Sequence, residues 1–153
     1  AAILMAALVA ATSAQTSAAT GTFQHLAGSW SGIGAATFDG GQSERLRCTA
    51  SYDRPRVQQL VTGDPLRESV RQVELRASLS NESGQVSGTW EERQFNVAGG
   101  ATGRLTGCGI VLSFSGGLSG GMSVVLKGPN RHSVSIAAQG WSLRTVTMAL
   151  NRR

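Results

Sequence analysis

The residues best equipped for chemistry on this chain are His25, His132, the adjacent pair Glu91-Glu92, and the cysteines Cys48 and Cys108. His132 and the many serines are the raw material of a Ser-His-Asp site, in which an imidazole takes the proton of a hydroxyl nucleophile. The G-x-S-x-G elbow that lifts such a serine onto a strand-to-helix turn is missing. Gly28-Ser29-Trp30-Ser31-Gly32 offers serines between glycines, but it leads into a strand. His132 follows the Gly128-Pro129-Asn130 turn and reads as a surface turn residue, and His25 falls before the first strand. Glu91 and Glu92 are neighbours on a strand, so they point to opposite faces and cannot serve one substrate as acid and base. Glu92 has the parity of Trp90; it is either an inward-facing ligand contact or a rim carboxylate paired with an arginine of the next strand. No C-x-x-C or H-x-x-x-H spacing provides a metal site. The run Gly116-Gly117-Leu118-Ser119-Gly120-Gly121 lacks the lysine and helix of a phosphate cradle, so it reads as turns. The expectation is no catalytic residue, no metal and no cofactor.

The elements that would position these groups are strands. From residue 27 the apolar residues recur with a period of two, not with the helical period. Trp30, Gly32, Gly34, Ala36 and Phe38 share one face of the first strand, and Asp39-Gly40-Gly41 is a hairpin turn. Leu46, Cys48, Ala50 and Tyr52 share a face of the second, with Arg45, Arg47, Thr49 and Ser51 opposite. Pro55 and Pro65 bracket a short run, Val57 to Thr62, and confine it to an edge or a loop. Val73, Leu75, Ala77 and Leu79 alternate cleanly, and Asn81 to Gly84 turns the chain into Val86 to Phe95. Ala98-Gly99-Gly100 reads as the next turn, before strands over Ala101–Cys108, Ile110–Ser115, Met122–Lys127, His132–Ala138 and Ser142–Leu150. Short strands with turn signals every 8–12 residues are an all-β pattern. The expected fold is an all-β, closed or nearly closed antiparallel up-and-down β-barrel of about 8–10 strands, since closure removes exposed edges. Its first strand should lie beside its last. On that last strand Val146, Met148 and Leu150 carry the apolar parity, so Arg144 and Arg152 share the inward face. Antiparallel pairing then brings Arg152 over the indole of Trp30, as a barrel closure.

The chain has 153 residues, one domain by size. Ala1 to Ala10 is an apolar run followed by Ala11-Thr12-Ser13-Ala14, which reads as a signal peptide over 1–14, truncated at its start, with a small-residue cleavage site. Residues 15–26 are then a polar linker, 27–153 the barrel domain, and the destination periplasmic or secreted. The run is too short for a stable membrane span. In an oxidising compartment Cys48 and Cys108 would form a bridge closing a loop of about 60 residues and contributing about 4 kcal/mol. The alternative is two small buried hydrophobes that never meet. The formal charge is +5, yet all fourteen basic residues but Lys127 are arginines, spread along the chain and interleaved with acids. A nucleic-acid surface gathers its cations into a stripe and adds stacking aromatics. Only Tyr52 and Phe114 lie on strands where a surface aromatic is plausible, so no nucleic-acid partner is expected.

Gly28-Ser29-Trp30 on the first strand resembles the G-x-W signature of the calycin barrels, the lipocalins and their relatives. In lipocalins a last-strand arginine packs over that tryptophan and closes the barrel bottom; the resemblance gives Trp30 and Arg152 those roles. A longer set of motifs is similar to a family of small secreted bacterial proteins without an established activity. It comprises Gly28-x-Trp30-x-Gly32-x-Gly34, Glu44-Arg45-Leu46-Arg47-Cys48, Ser87-Gly88-Thr89-Trp90-x-Glu92 and Ser133-Val134-Ser135-Ile136. In that family a second cysteine follows the first in the next strand, whereas Val57–Thr62 has none.

The functional expectation is an exported, non-catalytic barrel that binds a small apolar or amphipathic ligand, with Trp30, Phe38, Tyr52, Trp90 and Glu92 as candidate contacts. The aromatics among them are equally core residues by type. The runner-up is a protein-interaction module with a protein partner, such as an inhibitor acting through the tail Gln15 to Thr22 or an envelope-associated structural protein. An enzyme comes third.

Overall fold

A computed structural model describes residues 24–53, 56–63, 72–93, 96–140 and 142–153. The expected leader 1–14 and the tail Gln15 to Thr22 lie outside these residues. Ten strands follow in order: β1 (Gly28–Phe38), β2 (Ser43–Asp53), β3 (Arg56–Gly63), β4 (Gln72–Glu82), β5 (Gln85–Glu92), β6 (Val97–Thr106), β7 (Gly109–Gly116), β8 (Ser119–Gly128), β9 (Arg131–Gln139) and β10 (Leu143–Arg152). Each pairs antiparallel with its chain neighbours, and β1 pairs with β10, so the sheet closes into an up-and-down barrel. Trp30 stands opposite Arg152 and Gly32 opposite Leu150.

The alternation read from the sequence decides what is inside. Trp30 and Ala36 on β1, Leu46, Cys48, Ala50 and Tyr52 on β2, and Val146, Met148 and Leu150 on β10 are buried together. The β4–β5 hairpin turns on Ser83 (φ 52°) and Gly84 (φ 90°). Two successive left-handed residues give the turn the twist that flanking strands need. The Gly84 N–H also donates to Asn81 Oδ1 at 2.9 Å.

Inward-facing glycines let the wall bend. A Cβ placed on Gly32 would sit 1.8 Å from the Ala149 carbonyl oxygen, and one on Gly88 would sit 1.9 Å from that of Ser78. Backbone approaches backbone there, which no side chain permits.

Several expectations are corrected. The prolines do not push the third strand to an edge: β3 pairs with β2 over Leu46–Asp53 and with β4 over Gln72–Ser78, because Pro55 and Pro65 fall beyond its ends. Ala98-Gly99-Gly100 belongs to β6, where Gly99 opposes Trp90 and Gly116. Arg144 does not face inward. A bulge lets Phe38 pair with Leu143 while Thr37 pairs with Thr145, so Arg144 is set outside the alternation and forms an ion pair with Asp39. Leu26, assigned to the polar linker, is only 1% exposed and belongs to the core.

Gly32→Ala is expected to lower stability by about 1–3 kcal/mol through this backbone clash, as overpacking does. Gly100→Ala, whose Cβ meets nothing closer than an oxygen at 3.9 Å, should change it by less than about 0.5 kcal/mol. Paired denaturant titrations check the contrast.

Candidate functional site

The barrel has a packed end and a hollow end. At the packed end the chain enters through one helical turn, residues 24–26, which tucks Leu26 under the barrel. Trp30 is completely buried, and its indole N–H donates to the Leu26 carbonyl at 2.8 Å. The Arg152 guanidinium lies 4.2 Å from the Trp30 ring centroid. It donates to the carbonyls of Ala27 at 2.7 Å, His25 at 2.6 Å and Pro129 at 3.2 Å. The entering segment, the β8–β9 turn and the last strand thus meet on one side chain.

His132 is also in this floor, not on a surface turn. It is 2% exposed, edge-on to Trp30 with centroids 4.4 Å apart, and its Nε2 is 2.9 Å from the Tyr52 hydroxyl. Its parity with Val134 and Ile136 on β9 is the signal that places it inside; the neighbouring Gly-Pro-Asn turn masks that signal. Burial, and then the Arg152 charge, push its pKa from 6.5 down to about 4. The His132 Nδ1 is buried with no hydrogen-bond partner among the described residues. Tyr52, a candidate ligand contact, is a floor residue and not a surface aromatic.

Above the floor the small residues Ala36, Ala77, Ala101 and Ala138 leave a cavity of about 480 Å³. Phe38, Trp90 and Phe114 are its aromatic lining, together with Leu75, Leu112 and Ile136. Phe114 therefore faces inward, contrary to a surface role. Trp90 meets Phe114 edge-to-face at 5.9 Å, and its N–H is shared between the carbonyls of Gly100 at 3.1 Å and Ser115 at 3.2 Å. The ring is pinned to the wall by its polar edge and offers the interior an apolar surface. Trp30 is not among the cavity residues; it closes the far end.

Among the described residues, the polar side chains lining the cavity are Glu44, Glu92 and Ser142. Glu92 is no exposed rim carboxylate: it is 5% exposed, between Leu75 of β4 and Val97 of β6, and its Oε1 accepts the Glu74 N–H at 2.9 Å. Outside the wall, Glu74 pairs with Arg76 at 2.6 Å and approaches Arg93 at 3.9 Å.

The two cysteines do not form the expected bridge. Cys48 is buried on β2, its thiol pushed up to about 11 by burial, while Cys108 is exposed in the β6–β7 turn. Strand β2 and the β6–β7 turn sit apart in the barrel, and only Cys48 points in. No group of three metal-ligating side chains is present among the described residues. No helix among them is long and apolar enough to cross a membrane.

The sequence matches no protein-family model and no curated protein at a significant level. The fold is similar to that of Rv2717c from M. tuberculosis, with a TM-score of 0.65 and 18% identity, covering 88% of this chain and 97% of that one. It is also similar to the S-type phycobiliprotein lyase CPES from Guillardia theta, with a TM-score of 0.63 and 11% identity, covering 88% of this chain and 91% of that one. At these identities the likeness is one of fold, an antiparallel β-barrel.

Arg152→Ala should lower stability by about 2 kcal/mol, from the lost cation–π contact and three carbonyls left without this donor. Arg153→Ala should change it by less than about 0.5 kcal/mol. Thermal unfolding of both variants measures the difference. A second prediction follows from His132. Its folded pKa is depressed, so its stabilisation is fully present above pH 6.5 and is lost as pH falls toward about 4. The loss attributable to His132 is about 3 kcal/mol. Denaturant titrations across this range should show that part of the pH dependence missing from His132→Gln.

Proposed function

We propose that this chain is an exported, non-catalytic carrier or sequestering barrel that takes a small apolar or amphipathic ligand into its cavity. The observation that carries the reading is the cavity itself: about 480 Å³ with mostly apolar walls above a floor sealed by Trp30 and Arg152. Small-molecule sites are typically roughly 300–1,000 Å³, mostly apolar, with a few placed polar groups. Phe38, Trp90 and Glu92 are the candidate contacts that line it; Trp30 and Tyr52 hold the floor beneath. Export fits the apolar leader read over 1–14.

One structural neighbour bears the name of a lyase, but fold alone does not transmit activity. Support for a carrier over an enzyme comes from where the reactive groups are. Ser142 lines the cavity, whereas His132 is in the opposite floor and the carbonyl of His25 is bound there by Arg152. Neither histidine stands beside that serine as a base.

A neutral fluorescent apolar probe should bind saturably with one-to-one stoichiometry. Ala77→Trp, which fills the cavity from β4, should weaken binding about tenfold or more while the barrel still unfolds cooperatively. Probe binding that never saturates, or that is indifferent to Ala77→Trp, would count against a ligand in this cavity.

A further inference from the structure

We propose that the cavity measures the length of a ligand's apolar tail, and that Met148 and Ala36 set where the measure ends. The ligand class is then a single-tailed amphiphile that enters tail first. This deepens the carrier reading and rests on it.

The cavity has a closed base. Going inward from the mouth, Glu44, Leu46 and Cys48 follow one another on the inner face of β2, and Phe114, Leu112 and Ile110 on that of β7. The first two of each triplet line the cavity and the third does not. The same step separates Val146 from Met148 on β10 and Met122 from Val124 on β8. Exposure falls across that step, from 8% at Leu46 and Val146 to 2% at Cys48 and 4% at Met148. Cys48, Met148, Ile110 and Val124, with Val86 and Val134, thus form an apolar layer between the cavity and the Trp30 floor.

A glycine shapes one side of that layer. Gly34 on β1 opposes Met148 of β10, and a Cβ placed on it would come within 3.1 Å of Met148 Cγ and 3.2 Å of Cys48 Sγ. The two sulfur side chains therefore converge from the flanking strands on the space that β1 leaves empty. Met148 is unbranched and adaptable, so it is a stop that truncation can move. Ala36, two residues nearer the mouth on the same face of β1, lines the cavity above this stop.

The described polar side chains that line the cavity, Glu44, Glu92 and Ser142, stand at strand ends by the mouth, whereas each named residue of the base layer is apolar. A tail therefore goes in first and the head stays at the mouth, whatever its charge. From Phe38 to Gly34 the wall falls by roughly 10 Å once strand tilt is allowed for. Each methylene down to the base leaves water for apolar contact, and those beyond it stay in water.

The test is competition of the straight-chain alcohols from hexanol to tetradecanol against N-phenylnaphthylamine, each below its solubility limit. The head is neutral and constant, so only the tail varies. Affinity should rise about fourfold per methylene while the tail is being buried, then level off at an intermediate member. In Met148→Ala the methylenes just past that break should regain about fourfold each, moving it to a longer alcohol. In Ala36→Leu the break should move to a shorter alcohol, with those at the original break weakened about tenfold. Should Met148→Ala lose cooperative unfolding, Ala36→Leu, which fills space already empty, decides alone. A steady rise as far as tetradecanol, no dependence on length, or a break that fails to move as stated in a folded variant would each overturn the inference and leave the cavity reading standing. Failure of every alcohol and of the probe to bind would overturn the carrier reading, and this inference with it.

Discussion

Arg152 stacked on Trp30 is the contact on which the rest of the molecule depends. It joins the first strand to the last across the one seam that no hairpin supplies. A two-sided sheet edge left open there would present unpaired backbone groups. The guanidinium does more than cover a ring: its bonds to Ala27, His25 and Pro129 fix the entering turn and the β8–β9 turn against the same indole. The planar fork of arginine suits this combination of stacking and several donors better than a lysine would.

That floor has an electrostatic cost. A fixed positive charge beside a buried imidazole favours the neutral ring, so His132 completes the packing under Trp30 only in its uncharged form. Tyr52 supplies one polar partner, and the other ring nitrogen has none among the described residues. Trp30, Tyr52 and His132 fill the floor closely, while at the other end alanines leave room between the larger apolar and aromatic groups. The cavity is the volume that this unequal distribution does not fill.

Much of this was legible in the residues. Alternation gave the inward sets of β1, β2, β4 and β10, and register arithmetic brought Arg152 opposite Trp30. At some positions a local cue competes with parity. His132 directly follows a turn, and that composition masks the face it shares with Val134 and Ile136. Ala98-Gly99-Gly100 has turn composition, but its glycines serve a tightly bent strand that passes close to Ser115 and Trp90. Arg144 defeated parity itself, because a single bulge shifts the alternation and bulges leave no sequence period to detect. The cavity was harder still. Glycine and alanine leave room, yet whether neighbours fill that room depends on packing across the barrel, which no single strand records. Cys48 and Cys108 failed for the same reason: compartment chemistry says what two thiols would do if they met, and only topology says whether they meet.

The seam between β1 and β10 also has a meaning in time. Trp30 and Arg152 lie at opposite ends of the folded sequence, so a chain emerging residue by residue makes every hairpin before it can make this contact. Until then β1 and whichever strand was made last are bare edges, and the glycine-bent wall between them has no reason to hold its curvature. Sheets completed by such distant pairing form slowly and are open to association with other chains meanwhile. Strand β10 therefore acts as a latch: a nascent barrel lacking only that strand would carry nearly all the local structure of the finished one and none of its closure.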